Sequence, residues 1–140
     1  HLSYYRGVTA ITPNHHEGSG LSRIKITDKA SLLKAGRKLL RTLRCENVLI
    51  TQGEDGMVLF QNGKNPVKIP TMAQEVYDVS GAGDTVIATF ALARSMKATP
   101  FEAAYLANCA AGIVVGKIGT ATVRSEELIE RVKRLLDVNS

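Results

Sequence analysis

In the stretch "VYDVSGAGDTV", residues 76–86, the carboxylate of Asp84 follows two glycines, Gly81 and Gly83. This sets a proton acceptor beside a backbone that other groups can approach. Glycine reaches backbone angles forbidden to other residues and has no Cβ to hold a ligand off, so Gly81, Ala82 and Gly83 can bind through their backbone. The apolar run that follows has helical spacing. If the helix begins near Asp84, the amides of residues 81–84 fall at its first turn, where N–H groups lack helical partners and the dipole adds roughly half a positive charge. An anion is the natural occupant. Asp84 is then placed to accept a proton from a hydroxyl whose oxygen attacks phosphorus, and phosphoryl transfer needs mainly this positioning and charge stabilisation. The same letters also describe a tight turn closed by a capping carboxylate.

Such residues need a frame. Gly7–Ile11 reads as a short strand closed by Thr12-Pro13-Asn14, and "NHHEGSG" as a loop. From Thr27, expected as an N-cap, Leu32, Leu33, Leu39, Leu40 and Leu43 fall on one helical stripe. "NVLIT", residues 47–51, is a continuous apolar run of strand length, the mark of a strand buried on both faces. Strand, helix and strand make a βαβ unit. Asp55-Gly56 and Asn62-Gly63 are hairpin dipeptides bracketing "MVLFQ" ahead of "PVKIP", which predicts a small antiparallel meander. Three helices follow. The first, from about Asp84 to Met96, is expected to bury Val86, Ile87, Phe90 and Ala91. The second, Pro100 to Gly116, carries Ala103, Ala104, Ala107, Ala110 and Ala111, which admit close approach of a neighbour or a flat ligand. The third, Ser125 to Leu136, sets Leu128, Ile129, Val132, Leu135 and Leu136 along one face. The order predicts an α/β layer architecture with an antiparallel edge.

A polypeptide of 140 residues, 44% hydrophobic, is long enough for one modest core and suggests one compact unit. Lys and Arg number 18 against 13 Asp and Glu, a net charge of +5 suited to phosphorylated small molecules or to nucleic acid. The basic residues are spread over helices (Lys34, Arg37, Lys38, Arg41; Arg131, Lys133, Arg134) and aromatics are 5%, so they read as solvated faces and no nucleic-acid partner is expected. Cys45 and Cys109 have no CxxC or His companion at ligand spacing, which fits a reducing cytoplasm. No apolar run approaches the ~18 residues of a membrane span, so no membrane partner is expected. The start at His1 is read as that of a piece of a longer protein.

Asp78-Val79-Ser80-Gly81-Ala82-Gly83-Asp84 resembles the DTxGAGD signature of the ribokinase, or PfkB, family of carbohydrate kinases, with Val79 where threonine is usual. The wider string "MAQEVYDVSGAGDTVIATFALA" is similar to the heptose kinase branch, where valine is common. That branch phosphorylates D-glycero-D-manno-heptose 7-phosphate at O1 on the way to ADP-heptose for lipopolysaccharide. Three further stretches follow in the family's order. "TPNHHE" resembles the PNxxE element, which implies that Asn14 and Glu17 help place Mg²⁺ and the nucleotide phosphates, chiefly through water. His15 and His16 occupy its variable positions and read as solvent-facing. "TQGEDG" resembles the TxGxxG turn, which implies that Thr51, Gly53 and Gly56 approach the nucleotide phosphates. "ANCAAGIVVGKIGT" resembles the late helix whose Asn108 borders the adenine, followed by Gly119-Thr120.

The resemblance implies the C-terminal part of the ribokinase-like fold, a Rossmann-like three-layer α/β/α arrangement with a mainly parallel sheet. It makes Gly81, Ala82 and Gly83 the anion hole and Asp84 the catalytic base, with ATP and Mg²⁺ as cofactors and K⁺ beside the anion hole, Asp78 among its ligands. The acceptor is a sugar phosphate. By the same resemblance the sugar-binding half and the lid lie N-terminal to these residues. Alone, these 140 residues are therefore expected to bind nucleotide weakly, to turn over little or no sugar phosphate, and to form homo-oligomers through uncovered edges. Some heptose enzymes carry a fused nucleotidyltransferase domain. Two alternatives stay open here: a ribose, fructose phosphate or nucleoside acceptor, and a non-catalytic nucleotide-binding module.

Overall fold

The computed structural model describes residues 2–73, 75–119 and 121–138. Gln74, and Thr120 of the Gly119-Thr120 pair, lie outside the described residues. Where composition suggested one compact unit, the protein forms two, His1–Pro70 and Thr71–Ser140.

The first unit contains β1 (Ala10–Ile11), α1 (His15–Ser22), α2 (Lys29–Leu43), β2 (Asn47–Thr51), β3 (Met57–Gln61) and β4 (Val67–Ile69). The strands lie in the order β1-β2-β3-β4, with β1 parallel to β2 and the other neighbours antiparallel. The βαβ unit and the meander are both present, so the α/β class stands. The described sheet is mixed, with the meander making up more of it than an edge. Apolar side chains on both faces make β2 and β3 the centre: Val48, Leu49, Ile50, Leu59 and Phe60 are all buried. Gly36 of α2 lies over this layer, where an added Cβ would stand 2.5 Å from Cε1 and Cε2 of the Phe60 ring. Only glycine lets helix and sheet come this close.

Three expectations for this unit are corrected. The strand predicted over residues 7–11 shrinks to Ala10–Ile11, because Gly7 turns at φ 75° and donates its N–H to Leu43 O at 2.8 Å, tying the segment to the end of α2. The "NHHEGSG" loop is instead helix α1, capped by Asn14. Its sequence lacks apolar periodicity, and packing supplies what periodicity does not: an added Cβ on Gly18 would sit 3.3 Å from Ile26 Cδ1. The N-cap of α2 is Asp28 rather than Thr27, since the Asp28 carboxylate accepts from Ser31 N–H at 2.7 Å.

The second unit holds α3 (Ala82–Ser95), α4 (Pro100–Val115) and α5 (Ser125–Val138). Helix α3 starts at Ala82, two residues before the expected Asp84. Val86 and Phe90, an i,i+4 pair, are buried, whereas Ile87 and Ala91, one step further round the helix, are exposed, contrary to expectation. In α4 Ala103, Ala104, Ala107 and Ala110 are buried. The close neighbour they predicted is met one turn on at Gly112, where an added Cβ would lie 2.9 Å from the carbonyl carbon and oxygen of Met72. Leu128, Val132 and Leu135 of α5 are half-buried, while Ile129 and Leu136 of the predicted face are exposed. Among the described residues no helix is long and apolar enough to cross a membrane.

Candidate active site

Each helix needs partners for the N–H groups of its first turn. At the starts of α1, α2, α4 and α5 the third helical residue folds its side group back onto the backbone N–H that precedes the helix. The pairs are Glu17 to Asn14 (2.8 Å), Ser31 to Asp28 (3.0 Å), Glu102 to Thr99 (2.7 Å) and Glu127 to Arg124 (2.9 Å). Helix α3 departs from this. Its N-cap is Gly81, in the left-handed region at φ 77°, ψ −2°, where no side group caps the helix. The third residue is Asp84, exposed and without a hydrogen-bond partner for its carboxylate among the described residues.

The backbone around Asp84 is ordered all the same. Ala82 N–H donates to Val79 O at 3.2 Å, which closes a turn and uses one of the amides expected to be free. The first donor inside the helix is Thr85, whose N–H and Oγ1 both reach Gly81 O at 2.9 Å. The N–H groups of Gly83 and Asp84 therefore precede the helical ladder. Nothing lies within 4 Å of where a Cβ on Gly83 would be, and its φ is not positive. Neither packing nor conformation demands glycine there. The glycine leaves the backbone there open to approach from outside.

The approach to this turn is fixed by α4. Val115 O accepts the N–H groups of Tyr77 (2.7 Å) and Asp78 (3.2 Å) at the helix end. Asp78 Oδ1 accepts Ser80 N–H at 2.8 Å. The backbone N–H of Ser80, then its side chain, hold the Asp78 carboxyl below the usual carboxylate range, with a smaller contribution from the Gly119 backbone. Asp78 and Gly119 (φ 77°) are thus brought together. Asn108 lies in mid-α4 and is 4% exposed. Its neighbour Cys109 is fully buried, and burial pushes the thiol up to about 11, too high for a nucleophile near neutral pH.

The first unit gathers the other predicted residues at the C-terminal ends of its parallel strands, where open α/β sheets bind ligands. Asn14 forms a parallel bridge with Thr51, whose N–H donates to Pro13 O at 3.0 Å. Gly53 (φ 59°) and Gly56 (φ 83°) flank a single 3₁₀ turn directly after Thr51, closed by Gln52 N–H to Gly56 O at 2.8 Å. Asn14 Oδ1 also accepts Glu17 N–H at 2.9 Å, so the PNxxE pattern is a reciprocal capping box. The rings of His15 and His16 lie with centroids 3.9 Å apart, tilted 39° to each other. Among the described residues no cluster of three or more His, Cys, Asp or Glu could hold a metal ion directly. Sequence reasoning missed Val115, whose carbonyl sets the approach to Gly81; a backbone acceptor carries no signal in residue type.

A family model described as pfkB family carbohydrate kinase matches residues 1–127. The chain is 52% identical over 126 residues to the bifunctional protein HldE of Desulfatibacillum aliphaticivorans, covering 90% of this chain and 26% of that protein. It is 46% identical to the bifunctional protein HldE of Klebsiella pneumoniae, covering 92% of this chain and 27% of that one. The chain thus spans about a quarter of the length of the curated relatives it matches. Among solved structures, Arabidopsis thaliana ribokinase complexed with ribose and ATP superposes with a TM-score of 0.84 at 26% identity, over 92% of this chain and 42% of that one. Phosphofructokinase-2 from Escherichia coli, in complex with potassium, superposes at 0.85 with 17% identity, over 94% and 42%, and shares the fold.

Proposed function

Since this chain belongs to the pfkB family of carbohydrate kinases, we propose that it supplies the nucleotide side and the catalytic base of an ATP-dependent kinase acting on O1 of D-glycero-D-manno-heptose 7-phosphate. The observation that carries the reading is the start of α3. Of the five α-helices among the described residues, it alone leaves its third-residue carboxylate without a backbone to cap, beside open N–H groups. That arrangement is a poor helix cap and a good active site. The heptose acceptor rests on the bifunctional relatives, which at 46–52% identity are far nearer in sequence than the ribokinase at 26%.

Asp84 accepts the proton of the acceptor hydroxyl as that oxygen bonds to the γ-phosphorus and the bond from γ-phosphorus to the bridging oxygen of ADP breaks. The N–H groups of Gly83 and Asp84 hold the negative oxygens of the transferred group, a fixed dipolar environment that needs no reorganisation. Thr51 and the Gly53–Gly56 turn hold the nucleotide phosphates, and Asn108 with Gly119 stands on the nucleotide side. Asn14 and Glu17 fit a metal held through water: each is engaged by the other's backbone, yet both are exposed and keep free oxygen lone pairs. Mg²⁺ there would neutralise charge on the phosphate oxygens. The ionised Asp78, next to Gly119, suits K⁺.

The test is Asp84→Asn in a polypeptide of the relatives' full length. Turnover of heptose 7-phosphate should fall by about three orders of magnitude with ATP affinity retained. Unchanged turnover would remove Asp84 from the chemistry, and turnover of ribose but not heptose phosphate would remove the acceptor.

A further inference from the structure

The first unit carries eleven Lys and Arg against five Asp and Glu, the second seven against eight, so the positive excess belongs entirely to the first. Within it the charge is concentrated on α2. Residues 29–45 contain six basic residues and no acid. Lys34, Arg37, Lys38 and Arg41 occupy positions i, i+3, i+4 and i+7, one stripe on the side away from the buried leucines. Across from them the turn after β3 brings Lys64, and together they rim a groove of about 870 Å³. Its floor is apolar, formed by Ile24, Leu33 and Leu40.

A solvated helix normally relieves such crowding with mixed signs, and α5 does so. It sets Glu126, Glu127 and Glu130 ahead of Arg131, Lys133 and Arg134, pairs Arg134 with Glu130 along the helix, and gives Glu127 to Lys117. In α2 every neighbouring pair on the stripe repels, and among the described residues no ion pair relieves it. Asp28, at the head of the helix, is held by Ser31, with Oδ1 at 2.7 Å from both its N–H and Oγ, and reaches Lys34 of the stripe only as the weakest of its charge effects. We propose that this groove is a docking surface for an acidic amphipathic protein segment, one whose apolar residues meet Ile24, Leu33 and Leu40 while flanking Asp and Glu meet the basic rim. The groove offers no aromatic ring on which a nucleic-acid base would stack, and its apolar residues lie beside the basic stripe. Nothing in the phosphoryl-transfer reading uses these residues.

The test uses the protein itself and a fluorescent helical peptide of about 18 residues with Leu at every third or fourth position and Glu elsewhere. Fluorescence anisotropy should show saturable binding. Raising the salt to about 0.3 M, or making the Arg37→Glu/Arg41→Glu variant, should weaken it at least about tenfold. Replacing the peptide's Leu by Ser should weaken it several-fold, and Lys133→Glu in α5 should leave it unchanged. The double variant should melt close to the parent, because it turns the two i,i+3 pairs of the stripe, 34/37 and 38/41, opposite in sign while the two i,i+4 pairs stay alike. Three results would overturn the proposal: equal binding by parent and double variant, equal binding of the Leu and Ser peptides, or tighter Arg37- and Arg41-dependent binding of single-stranded RNA or of phosphatidylglycerol vesicles than of the peptide.

Discussion

The starts of α1 and α3 are built from the same parts and finished in opposite ways. Each has a carboxylate at the third helical position, Glu17 in one and Asp84 in the other. Glu17 turns back onto Asn14 and completes a capping box, so the end of α1 satisfies itself. Asp84 faces a glycine with no side group, the glycine holds a left-handed turn, and the carboxylate stays free of partners among the described residues. A cap that closes on itself stabilises structure. A cap left open gives up some of that stability and leaves a carboxylate and two N–H donors unspent. On the proposed reading the first unit holds and positions, and the second carries the base.

The largest separation between the two should come from their carboxylates. In the full-length polypeptide Asp84→Asn should lower kcat by roughly 10²–10⁴, as expected for loss of a general base. Glu17→Gln, which on the proposed reading acts through water and position, should cost about 10–100-fold, mostly in nucleotide and metal affinity. Steady-state kinetics with ATP and Mg²⁺ titrations separates them, and equal losses would erase the distinction.

Two glycines give the next contrast, with the same substitution at both. Gly36→Ala drives a methyl group into the Phe60 ring and should destabilise the first unit by about 1–3 kcal/mol in urea unfolding. Gly83→Ala meets open space in a helical conformation, so folding should hold or gain by up to about 1 kcal/mol. Its turnover should nonetheless fall about tenfold or more, because the methyl group stands where the transferred phosphate must approach. A Gly83→Ala protein of full activity would show that no ligand uses that space.

A smaller effect is expected at Thr99, which caps α4 through its Oγ1 to Glu102 N–H at 3.3 Å. Thr99→Ala should cost about 1 kcal/mol and lower the thermal midpoint without touching kinetics. The smallest and most distributed effect is that of acid. Asp28 in the first unit, and Asp78, Glu102 and Glu127 in the second, all have folded pKa values lowered, chiefly by backbone hydrogen bonds from Ser31, Ser80, Thr99 and Arg124. As pH falls, the unfolded state protonates these groups first. Their contribution is therefore complete above about pH 5 and is lost as pH drops through roughly 4 and below. With three such groups against one, the second unit should lose amide-exchange protection first. Simultaneous loss in both units would mean that they unfold together.

Much of the frame was legible in the order of residues. The run Asn47–Thr51 and the dipeptides Asp55-Gly56 and Asn62-Gly63 announce β2, β3 and β4 because strand burial and turn geometry are local demands on residue type. The leucine stripe of α2 does the same for a half-buried helix. Helix α1 was not legible by periodicity, since "HHEGSGLS" has no apolar stripe, although Asn14 and Glu17 at capping-box spacing were a signal for its start. The exposure of Ile87 and Ala91 was not legible either, because α3 is apolar all round and its sequence does not say which side meets α4.

What the sequence determined by itself is the set of groups: glycines before a carboxylate, a family's order of short motifs, and the strands and helices that carry them, all fixed by interactions within a few residues. What only the tertiary structure decided is which of those groups are left unspent. Glu17, Ser31, Glu102, Glu127 and Asp84 look alike as third residues of helices, and the difference lies in whether the preceding backbone turns its N–H toward them. That turn is set at Asp84 by the αL angle of Gly81 and by Val115 O holding Tyr77 and Asp78, contacts from a helix end more than thirty positions away in sequence.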